Sequence, residues 1–334
     1  MKQLKFGLIG SGYWGPKIAR NLDSVPGASV SYVADMDSAR LASIALSQPW
    51  IRTTTDASTV FESDVDGVVI ATPVKTHFLL ARQALLAGKH VLVEKPLTAS
   101  VEQAQELVEI AEREHRILMV GHTFEYSPAV NELQKIVQSG ELGRIYCIDM
   151  ERLNLGLFRS DIDVIWDLAP HDVSILLYLL GKSPSHVQVQ ARAHVQRKIC
   201  DIAHMDLEYA DGATAHIHVS WLHPCRVRRV TVIGDERMAV YDDTNPAEML
   251  KIYNKGAEVH ADPIVSYRNG AITIPHIEWI EPLRLECQDF ADSIRHGTVP
   301  RANGRVGLEV VRILELAQNN RQVEHMLLEE VVPA

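Results

Sequence analysis

The fold of this chain is decided near its N-terminus, at Leu4-Lys5-Phe6-Gly7-Leu8-Ile9-Gly10-Ser11-Gly12-Tyr13-Trp14-Gly15-Pro16. Residues 4–9 are mostly apolar and predict a short buried strand, which a glycine turn joins to the start of a helix. Gly10, Gly12 and Gly15 have the G-x-G-x-x-G spacing of a dinucleotide-binding turn. In such a turn the first glycine permits the tight bend, the second lets a pyrophosphate approach the backbone, and the third lets the helix pack close to the sheet. We therefore expect the N–H groups at the start of the helix to face the phosphates of a dinucleotide.

An acidic residue supports this interpretation, because it closes the next predicted strand, residues 30–34. Asp35 lies about 20 residues after the glycine turn, where a carboxylate accepts hydrogen bonds from an adenosine ribose and repels a 2′-phosphate. We therefore expect NAD to be favoured over NADP as the cofactor. Arg40 lies nearby and could weaken this preference. Tyr13 and Trp14 in the turn are also expected to contact the cofactor. The alternative is a plain strand-turn-helix unit without a ligand.

Length and composition indicate a globular protein with two domains. The chain has 334 residues, of which 46% are hydrophobic, and it carries a net charge of −10 without a basic tract. This charge disfavours nucleic acid and anionic membranes as partners. No signal peptide precedes the first strand, and no apolar run approaches the roughly 18 residues that span a bilayer, so we expect a cytoplasmic protein. The four cysteines show no metal-ligand spacing, so we expect reduced thiols and no metal.

Strands and helices alternate in the first part of the chain, which predicts an α/β fold with a doubly wound parallel sheet, the Rossmann arrangement. After the first two strands, further strands are predicted at residues 66–71, 90–93 and 117–120, and helices at residues 16–25, 38–47, 56–61, 77–86 and 101–115. Beyond Gly121 the pattern changes. We therefore place an NAD-binding domain at residues 1–121 and a substrate-binding and oligomerisation domain at residues 122–334.

Five residues follow predicted strands at their carboxyl ends, where ligands bind in sheets of this kind. They are Thr72, Pro73, His77, Glu94 and Lys95. We expect all five to contact the cofactor. Lys95 lies at the tip of a buried strand, and it could also donate a proton to a substrate hydroxyl or take one from it. A solvated surface lysine beside an acid is the alternative.

Six segments of alternating apolar and polar residues predict a largely antiparallel sheet in the second domain. They are residues 144–153, 186–195, 203–209, 213–221, 228–233 and 238–241. Between two of them, Asp211-Gly212 is a hairpin signal. Helices are predicted as well, at residues 128–139, 165–180, 281–296 and 304–321, so the domain is α+β with an open sheet. An open sheet face is a natural subunit interface, so we expect a homo-oligomer, either a dimer or a tetramer.

The helix predicted at residues 165–180 carries an acid and an imidazole on one face. Asp167 and His171 are four residues apart, a spacing that stacks two side chains on a helix. A carboxylate that orients an imidazole is an arrangement for a general base. The alternative is a helix N-terminus that Asp167 or Asp172 caps, with His171 at the edge of the core. Elsewhere, the histidines of His216-Ile217-His218 alternate on a predicted strand and could meet a metal, although a polar sheet face is the simpler interpretation.

Together these motifs resemble the Gfo/Idh/MocA family, which takes its name from glucose-fructose oxidoreductase and inositol dehydrogenase. The resemblance covers essentially the whole chain, and it is carried by Gly10-x-Gly12-x-x-Gly15, Ala71-Thr72-Pro73-x-x-x-His77, Glu94-Lys95-Pro96 and Asp167-x-x-x-His171. It implies an NAD(P)-dependent sugar dehydrogenase that acts on a CH–OH group. It also implies that the catalytic residues around the nicotinamide are Lys95, Asp167 and His171, and that a cis peptide bond precedes Pro96. Whether Lys95 or His171 is the base stays open.

Three further segments are similar to the branch of this family that acts on nucleotide-linked sugars, the UDP-N-acetylglucosamine and UDP-N-acetylglucosaminuronate 3-dehydrogenases. The segments are residues 154–158, 166–172 and 281–284. This resemblance implies hydride transfer between C3 of such a sugar and NAD, with Tyr126, Asn154 and Arg159 as candidates for substrate contacts. Residues 161–166 lack the glycine-rich stretch of many sugar and inositol members, which puts free sugars and inositols in doubt without excluding them. A keto-sugar reductase, an NAD-dependent glycosidase and a sensing regulator without turnover stay open as well.

Overall fold

The computed structural model describes residues 3–259 and 265–323, and these residues form two compact units. The first unit runs to Pro128 and includes Trp279–Arg312, and the second contains Ala129–Glu278 and continues from Ile313. This division differs from a single boundary after residue 121, because part of the C-terminal segment returns to the first unit. The last residues of the predicted second domain, 324–334, lie outside the described residues.

A parallel sheet forms the centre of the first unit. Its strands are β1 (Leu4–Ile9), β2 (Ala28–Ala34), β3 (Arg52–Thr54), β4 (Gly67–Ile70), β5 (His90–Val93) and β6 (Leu118–Val120). The helices between them are α1 (Gly15–Asp23), α2 (Ser38–Ser47), α3 (Ala57–Glu62), α4 (Val74–Leu86) and α5 (Val101–Arg113), and a short 3-10 helix follows at Thr123–Tyr126. Within the described ranges, the strand order is β3-β2-β1-β4-β5-β6. This order confirms the predicted doubly wound parallel sheet.

The strands of this sheet that were predicted from the sequence are those whose side chains are buried. Every residue of β4 is buried, as expected for an apolar run that helices cover on both faces. Strand β3 was missed, because it has only three residues, Arg52-Thr53-Thr54, none of them buried. An edge strand without apolar residues gives no periodic signal.

The second unit is built on a sheet of nine strands within the described residues. They are β7 (Ile145–Leu155), β8 (His186–Arg192), β9 (Ile202–Glu208), β10 (Thr214–Ser220), β11 (Leu222–Gly234), β12 (Met238–Asp242), β13 (Leu250–Val259), β14 (Val265–Thr273) and β15 (Arg321–Val323). Four more helices follow along the chain, namely α6 (Pro128–Gln138), α7 (Val164–Leu180), α8 (Pro282–His296) and α9 (Gly304–Asn319). Of these, α8 and the first part of α9 belong to the first unit. The strand order is β14-β13-β12-β11-β7-β10-β9-β8-β15.

Most neighbours in this sheet are antiparallel, which confirms the predicted largely antiparallel sheet. The hairpin predicted at Asp211-Gly212 joins β9 to β10, and Gly212 has a positive φ of 86°. Two pairs, β7 with β10 and β8 with β15, are parallel. The sequence missed β13, β14 and β15. Strand β14 is largely exposed, so it buries no apolar face that would produce alternation.

Helix α8 accounts for the return of the chain to the first unit. Phe290 on this helix is fully buried, and its ring centroid lies 5.6 Å from that of Phe6 on β1. Burying a phenylalanine side chain stabilises a fold by about 1.5–3 kcal/mol. The apolar face of α8 therefore completes the core of a unit that begins far away in sequence.

Helix α7 is fixed at its start and along one side. Asp163 caps it by accepting hydrogen bonds from the backbone N–H groups of Ile165 at 3.1 Å and Trp166 at 3.2 Å. Inside the unit, Asp172 forms a bidentate ion pair with Arg152 of β7, with N–O distances of 2.9 and 2.8 Å. These contacts fix the rotation of α7 on the sheet. Within residues 3–259 and 265–323, every helix is too short or too polar to cross a bilayer.

Candidate active site

The glycine turn after β1 leaves space where a pyrophosphate would need it. A Cβ atom on Gly10 would lie 2.6 Å from the Ala71 carbonyl oxygen, and one on Gly15 would lie 2.2 Å from the Gly10 carbonyl oxygen. The protein's own backbone therefore requires these two glycines. A Cβ atom on Gly12 would meet nothing closer than Arg40 Nη1 at 3.7 Å, so crowding inside the protein does not explain this glycine. The open space at Gly12 would let a ligand approach the backbone, so the turn fits a dinucleotide.

Asp35 ties the end of β2 to this turn. Its Oδ2 accepts hydrogen bonds from the Ser11 backbone N–H at 2.6 Å and the Ser11 hydroxyl at 3.0 Å. Its Oδ1 accepts one from the Asp37 backbone N–H at 2.9 Å. Partial burial acts to raise the pKa of Asp35, but these hydrogen bonds, with the Arg40 charge, outweigh it and the pKa is lowered. The carboxylate is therefore ionised at neutral pH, as a ribose contact requires.

Two exposed aromatic side chains flank the turn. Tyr13 is 75% exposed and Trp14 is 41% exposed. The Lys17 ammonium lies 3.3 Å from the centroid of the Tyr13 ring and 4.7 Å from that of Trp14. Lys17 was not among the residues expected at the site, although its place in the first turn of α1 puts a cation beside the glycine turn.

His77 links the ends of two neighbouring strands. It is buried, and its Nδ1 lies 2.8 Å from the Pro96 carbonyl oxygen while its Nε2 lies 2.8 Å from the Thr72 carbonyl oxygen. Burial lowers the pKa of His77. The Thr72 hydroxyl itself accepts a hydrogen bond from Thr76 at 2.7 Å. The structure thus places the His77 side chain between the chain after β4 and the Lys95-Pro96 peptide, which is cis.

The first unit also contains titratable groups in apolar surroundings, of which the sequence placed only Glu94 at the site. Burial raises the pKa of Glu94 to about 7 against the effect of the Lys95 charge. Burial, with the Lys95 charge, lowers the pKa of His122 to about 3, and neither ring nitrogen has a hydrogen-bond partner in the described part of the chain. Glu125 is buried too, and so is Glu286, whose pKa is raised well above its usual value by burial and by the Glu94 charge. For His122, Glu125 and Glu286, the only hint of burial in the sequence was a titratable residue close to apolar ones.

Tyr126 is buried in the hydrophobic core of the first unit. It is 3% exposed, and its hydroxyl donates to Asp289 Oδ2 at 2.6 Å. The Arg301 guanidinium lies 4.9 Å from the ring centroid. Because both the ring and the hydroxyl are engaged by the protein, the substrate contacts proposed below do not include Tyr126.

Asp167 lies in the second unit, on the first turn of α7, one helical turn before His171. Its Oδ2 accepts a hydrogen bond from the indole N–H of Trp221 at 3.0 Å, and its Oδ1 lies 3.8 Å from Arg159 Nη1. Asp163 and not Asp167 or Asp172 caps the helix, so the capping alternative is wrong. The carboxylate of Asp167 is held by a side chain from the sheet instead.

Two substrate candidates lie in the same unit. Arg159 forms a bidentate ion pair with Asp161, with N–O distances of 3.0 and 2.9 Å, and its side chain is 38% exposed. The Oδ1 atom of Asn154 is buried and has no hydrogen-bond partner among the described residues. A guanidinium fixed by a carboxylate and an acceptor without a donor can both bind a polar ligand.

Comparison with known proteins identifies the family. Residues 4–122 match the family model for the NAD-binding Rossmann fold of the Gfo/Idh/MocA oxidoreductases, and residues 130–240 match the model for the Gfo/Idh/MocA C-terminal domain. The chain belongs to the Gfo/Idh/MocA family of oxidoreductases. Its N-terminal part is an NAD-binding Rossmann domain, as the glycine turn and Asp35 predicted.

Individual relatives in this family have different substrates. UDP-N-acetylglucosamine 3-dehydrogenase of Acidithiobacillus ferrooxidans is 34% identical over 70% of this chain and 71% of its own length. A solved structure of that enzyme, GnnA, has a TM-score of 0.81 at 28% identity and covers 96% of this chain and 98% of its own. The scyllo-inositol 2-dehydrogenase (NAD+) of Bacillus subtilis is 27% identical over 89% of this chain and 88% of its own. GenD2 from gentamicin A biosynthesis, solved in complex with NAD, has a TM-score of 0.81 at 26% identity over 96% of this chain and 94% of its own.

Proposed function

We propose that this protein is an NAD-dependent dehydrogenase that transfers a hydride between C3 of a UDP-N-acetyl-hexosamine, or of its uronate, and nicotinamide. The family supports the coarser statement, a dehydrogenase in the Gfo/Idh/MocA group. The observation that carries the catalytic part is the Asp167 carboxylate, which Trp221 holds one helical turn before His171. Support for the sugar class comes from the resemblance to UDP-N-acetylglucosamine 3-dehydrogenase.

The cofactor's residues belong to the first unit. Bound NAD supplies a hydride acceptor at C4 of its nicotinamide. We propose that the turn at Gly10, Gly12 and Gly15 binds the pyrophosphate and that Asp35 accepts hydrogen bonds from the adenosine ribose. Tyr13 and Trp14 cover the turn. Further contacts are proposed for the residues that follow β4 and β5, namely Thr72, Pro73, Glu94 and Lys95, with His77 holding this part of the backbone in place.

The acid-base chemistry belongs to Lys95 and to the pair on α7. His171 removes the proton of the sugar hydroxyl, and Asp167 orients the imidazole and stabilises its protonated form. Lys95 donates a hydrogen bond to the same oxygen and stabilises the negative charge that develops as the proton leaves. The roles of Lys95 and His171 can be exchanged. In the reverse direction these groups return the proton to the oxygen of a keto sugar.

Substrate contacts are proposed for Arg159 and Asn154. The acidic chain as a whole repels a diphosphate, so an anionic nucleotide sugar needs a local cation, and Arg159 is held in place by Asp161. The Oδ1 of Asn154 needs a donor, and sugar hydroxyls or an N-acetyl N–H group supply one. Arg159 would therefore favour an anionic nucleotide-linked sugar over a neutral polyol, whereas Asn154 could accept a hydrogen bond from either.

The test is a substrate panel. The purified protein is incubated with NAD and, separately, with UDP-N-acetylglucosamine, its uronate, other UDP sugars, free hexoses and inositols, and NADH formation is followed by its absorbance. We expect the highest kcat/KM for a UDP-N-acetyl-hexosamine or its uronate, and a lower value for NADP than for NAD. The Lys95→Ala variant is the control for contaminating dehydrogenases. Oxidation of no UDP sugar would refute the proposed substrate class.

A second candidate is oxidation of an inositol, because scyllo-inositol 2-dehydrogenase is a relative over most of the chain. The same panel separates the two, since only a nucleotide-sugar enzyme loses activity when UDP is removed from the substrate. Release of free sugar without net NADH formation would indicate a glycosidase instead. The expected homo-oligomer is also a proposal, and light scattering after size-exclusion chromatography measures its size.

A further inference from the structure

Three side chains with metal-binding atoms lie together on the sheet of the second unit. Cys147 and Asp149 are two residues apart on β7, so their side chains point to the same face. Strand β10 runs parallel to β7, and its register places His216 opposite Asp149. One ligand atom from each of the three residues lies within 4.8 Å of the other two. The Cys147 thiol donates to Asp149 Oδ1 at 3.5 Å, so sulfur and oxygen already face each other.

A fourth side chain holds the imidazole of this group. Strand β9 runs antiparallel to β10, and its register places Asp206 opposite His216. The Oδ1 atom of Asp206 lies 2.6 Å from His216 Nδ1. A carboxylate that accepts the Nδ1–H bond of a histidine fixes the tautomer whose Nε2 carries the lone pair. Histidines that bind zinc in proteins commonly donate their other ring N–H to a carboxylate in this way.

We propose that Cys147, Asp149 and His216 bind one Zn²⁺ ion, with Asp206 as the residue that orients the imidazole. A thiolate, an imidazole and a carboxylate form a donor set for zinc, whereas Mg²⁺ and Ca²⁺ prefer oxygen ligands throughout. The donor atoms of a tetrahedral zinc site lie about 3.5 Å apart. The three residues project from paired strands, and small side-chain rotations bring their ligand atoms, which lie within 4.8 Å of one another, to that spacing. Binding releases the thiol proton to solvent, and water completes the coordination.

The geometry of the sheet makes this site accessible and rigid. In the single chain the side chains of His216 and Asp206 are about half exposed, so solvent reaches the site there. The ligands come from β7 and β10, and the orienting carboxylate comes from β9, three neighbouring strands. A bound ion therefore joins strands that are distant in sequence, and it stabilises the folded chain in proportion to its affinity. None of the four residues belongs to the proposed catalytic set, so the inference stands apart from the proposed function.

The test measures metal binding directly in the full-length protein after treatment with a chelator. The background variant is Cys225→Ser, which removes an exposed thiol that could bind metal by itself. Co²⁺ is titrated as a spectroscopic substitute for Zn²⁺. We expect a thiolate-to-cobalt charge-transfer band that saturates at one equivalent and disappears when Zn²⁺ is added. Added Zn²⁺ should also raise the thermal unfolding midpoint.

Three variants and a matched control test two of the ligands and the orienting carboxylate. Adding Cys147→Ser should abolish the charge-transfer band, and His216→Gln should abolish binding at one equivalent. Adding Asp206→Asn should keep the band and weaken affinity by about 10–100-fold, the usual effect of losing an orienting partner. His186→Gln changes an exposed histidine of β8 in the same sheet and should leave binding unchanged. Absence of one-equivalent binding in the background variant, or binding that survives Cys147→Ser, would overturn the proposal.

Discussion

Trp221 donates its indole N–H to the Asp167 carboxylate at 3.0 Å. Trp221 is fully buried between β10 and β11, and Asp167 lies on the first turn of α7, so this hydrogen bond joins the sheet to the helix that carries His171. A hydrogen bond to a charged group contributes about 1.5–3 kcal/mol. The sequence showed the spacing of Asp167 and His171 but not the group that holds the carboxylate.

Substituting Trp221→Phe should lower turnover by roughly 10-fold or more, because it removes the N–H donor and leaves Asp167 less well oriented. NAD affinity should stay unchanged, since the residues proposed to bind the cofactor lie in the first unit. Steady-state kinetics give kcat and KM, and fluorescence titration gives NAD affinity.

The matched control for this variant is Trp166→Phe. Trp166 also lies on α7 and donates its indole N–H to a side-chain oxygen, that of Gln318 at 2.8 Å. The Trp166→Phe variant therefore removes the same type of hydrogen bond from the same helix, and it leaves the hydrogen bond to Asp167 in place. An equal loss of turnover in both variants would show a general loosening of α7 and contradict the prediction.

The proposed acid-base residues give a second prediction. Lys95→Ala and His171→Ala should each lower turnover by roughly 10²–10⁴-fold, the usual contribution of positioned acid-base groups, while NAD still binds. If both groups act on one hydroxyl, the double variant should lose much less than the product of the two single losses. Single-turnover kinetics of the three variants measure this. Near wild-type turnover in either single variant rules out the role assigned to it.

The cofactor preference gives a third prediction. Asp35→Ala should weaken NAD binding and narrow the difference between NAD and NADP, because it removes the ribose acceptor and the charge that repels a 2′-phosphate. The carboxylate also holds the turn through Ser11, so Ser11→Ala is the control. That variant removes the hydroxyl contact and keeps the charge, and it should leave the NAD-to-NADP ratio of kcat/KM unchanged. An unchanged ratio in Asp35→Ala would count against the ribose contact.

The ion pair of Arg152 and Asp172 gives a prediction about stability. Both side chains are buried, and Asp172→Asn leaves the guanidinium without its counter-charge. Breaking a buried pair in this way destabilises a protein by about 3–5 kcal/mol. We expect a clearly lower thermal unfolding midpoint by differential scanning fluorimetry. Glu106→Gln breaks the exposed pair with Arg82 and should change the midpoint little, and equal effects of the two variants would contradict the argument.

The helices and strands that the sequence predicted correctly share one physical property. Each buries an apolar face, and this face is visible as a pattern of apolar residues within the element itself. Strand β4 is apolar and buried throughout, and the predicted helices α3 and α7 bury apolar residues such as Phe61 and Ile165. Strands β3 and β14 bury little and were missed. The return of α8 to the first unit was missed for another reason, since its partner Phe6 is remote in sequence.

In the candidate site, too, the sequence predicted local features but not contacts between residues that are distant along the chain. The spacing of Gly10, Gly12 and Gly15 predicted the dinucleotide turn, because all of its parts are local. The contact of Trp221 with Asp167 and the pairing of His216 with Asp149 depend on strand register between distant segments. Tyr126 was a candidate for a substrate contact, and only the structure shows that its hydroxyl donates a hydrogen bond to Asp289.

A buried carboxyl group in the first unit makes stability depend on pH. Burial, with the Asp289 charge and against that of Arg301, raises the pKa of Glu125 to about 8 from its ordinary value of 4.5. Between these two values the folded chain keeps the proton and the unfolded chain loses it. The contribution of Glu125 is therefore complete below pH 4.5 and is lost as the pH rises towards 8.

The variant Glu125→Gln has no proton to lose, so its stability should fall less steeply over this range than that of the wild type. Because one pKa unit corresponds to about 1.4 kcal/mol, the variant should gain at least ~1 kcal/mol relative to the wild type between pH 5 and pH 8. Thermal unfolding midpoints at pH 5, 6.5 and 8 measure the difference. Glu132→Gln on α6 is the control, since Glu132 lies at the surface in a pair with Lys135 and should show no such trend. Parallel pH profiles for Glu125→Gln and the wild type would mean that Glu125 is ionised in the folded chain, with Arg301 as the charge that compensates it.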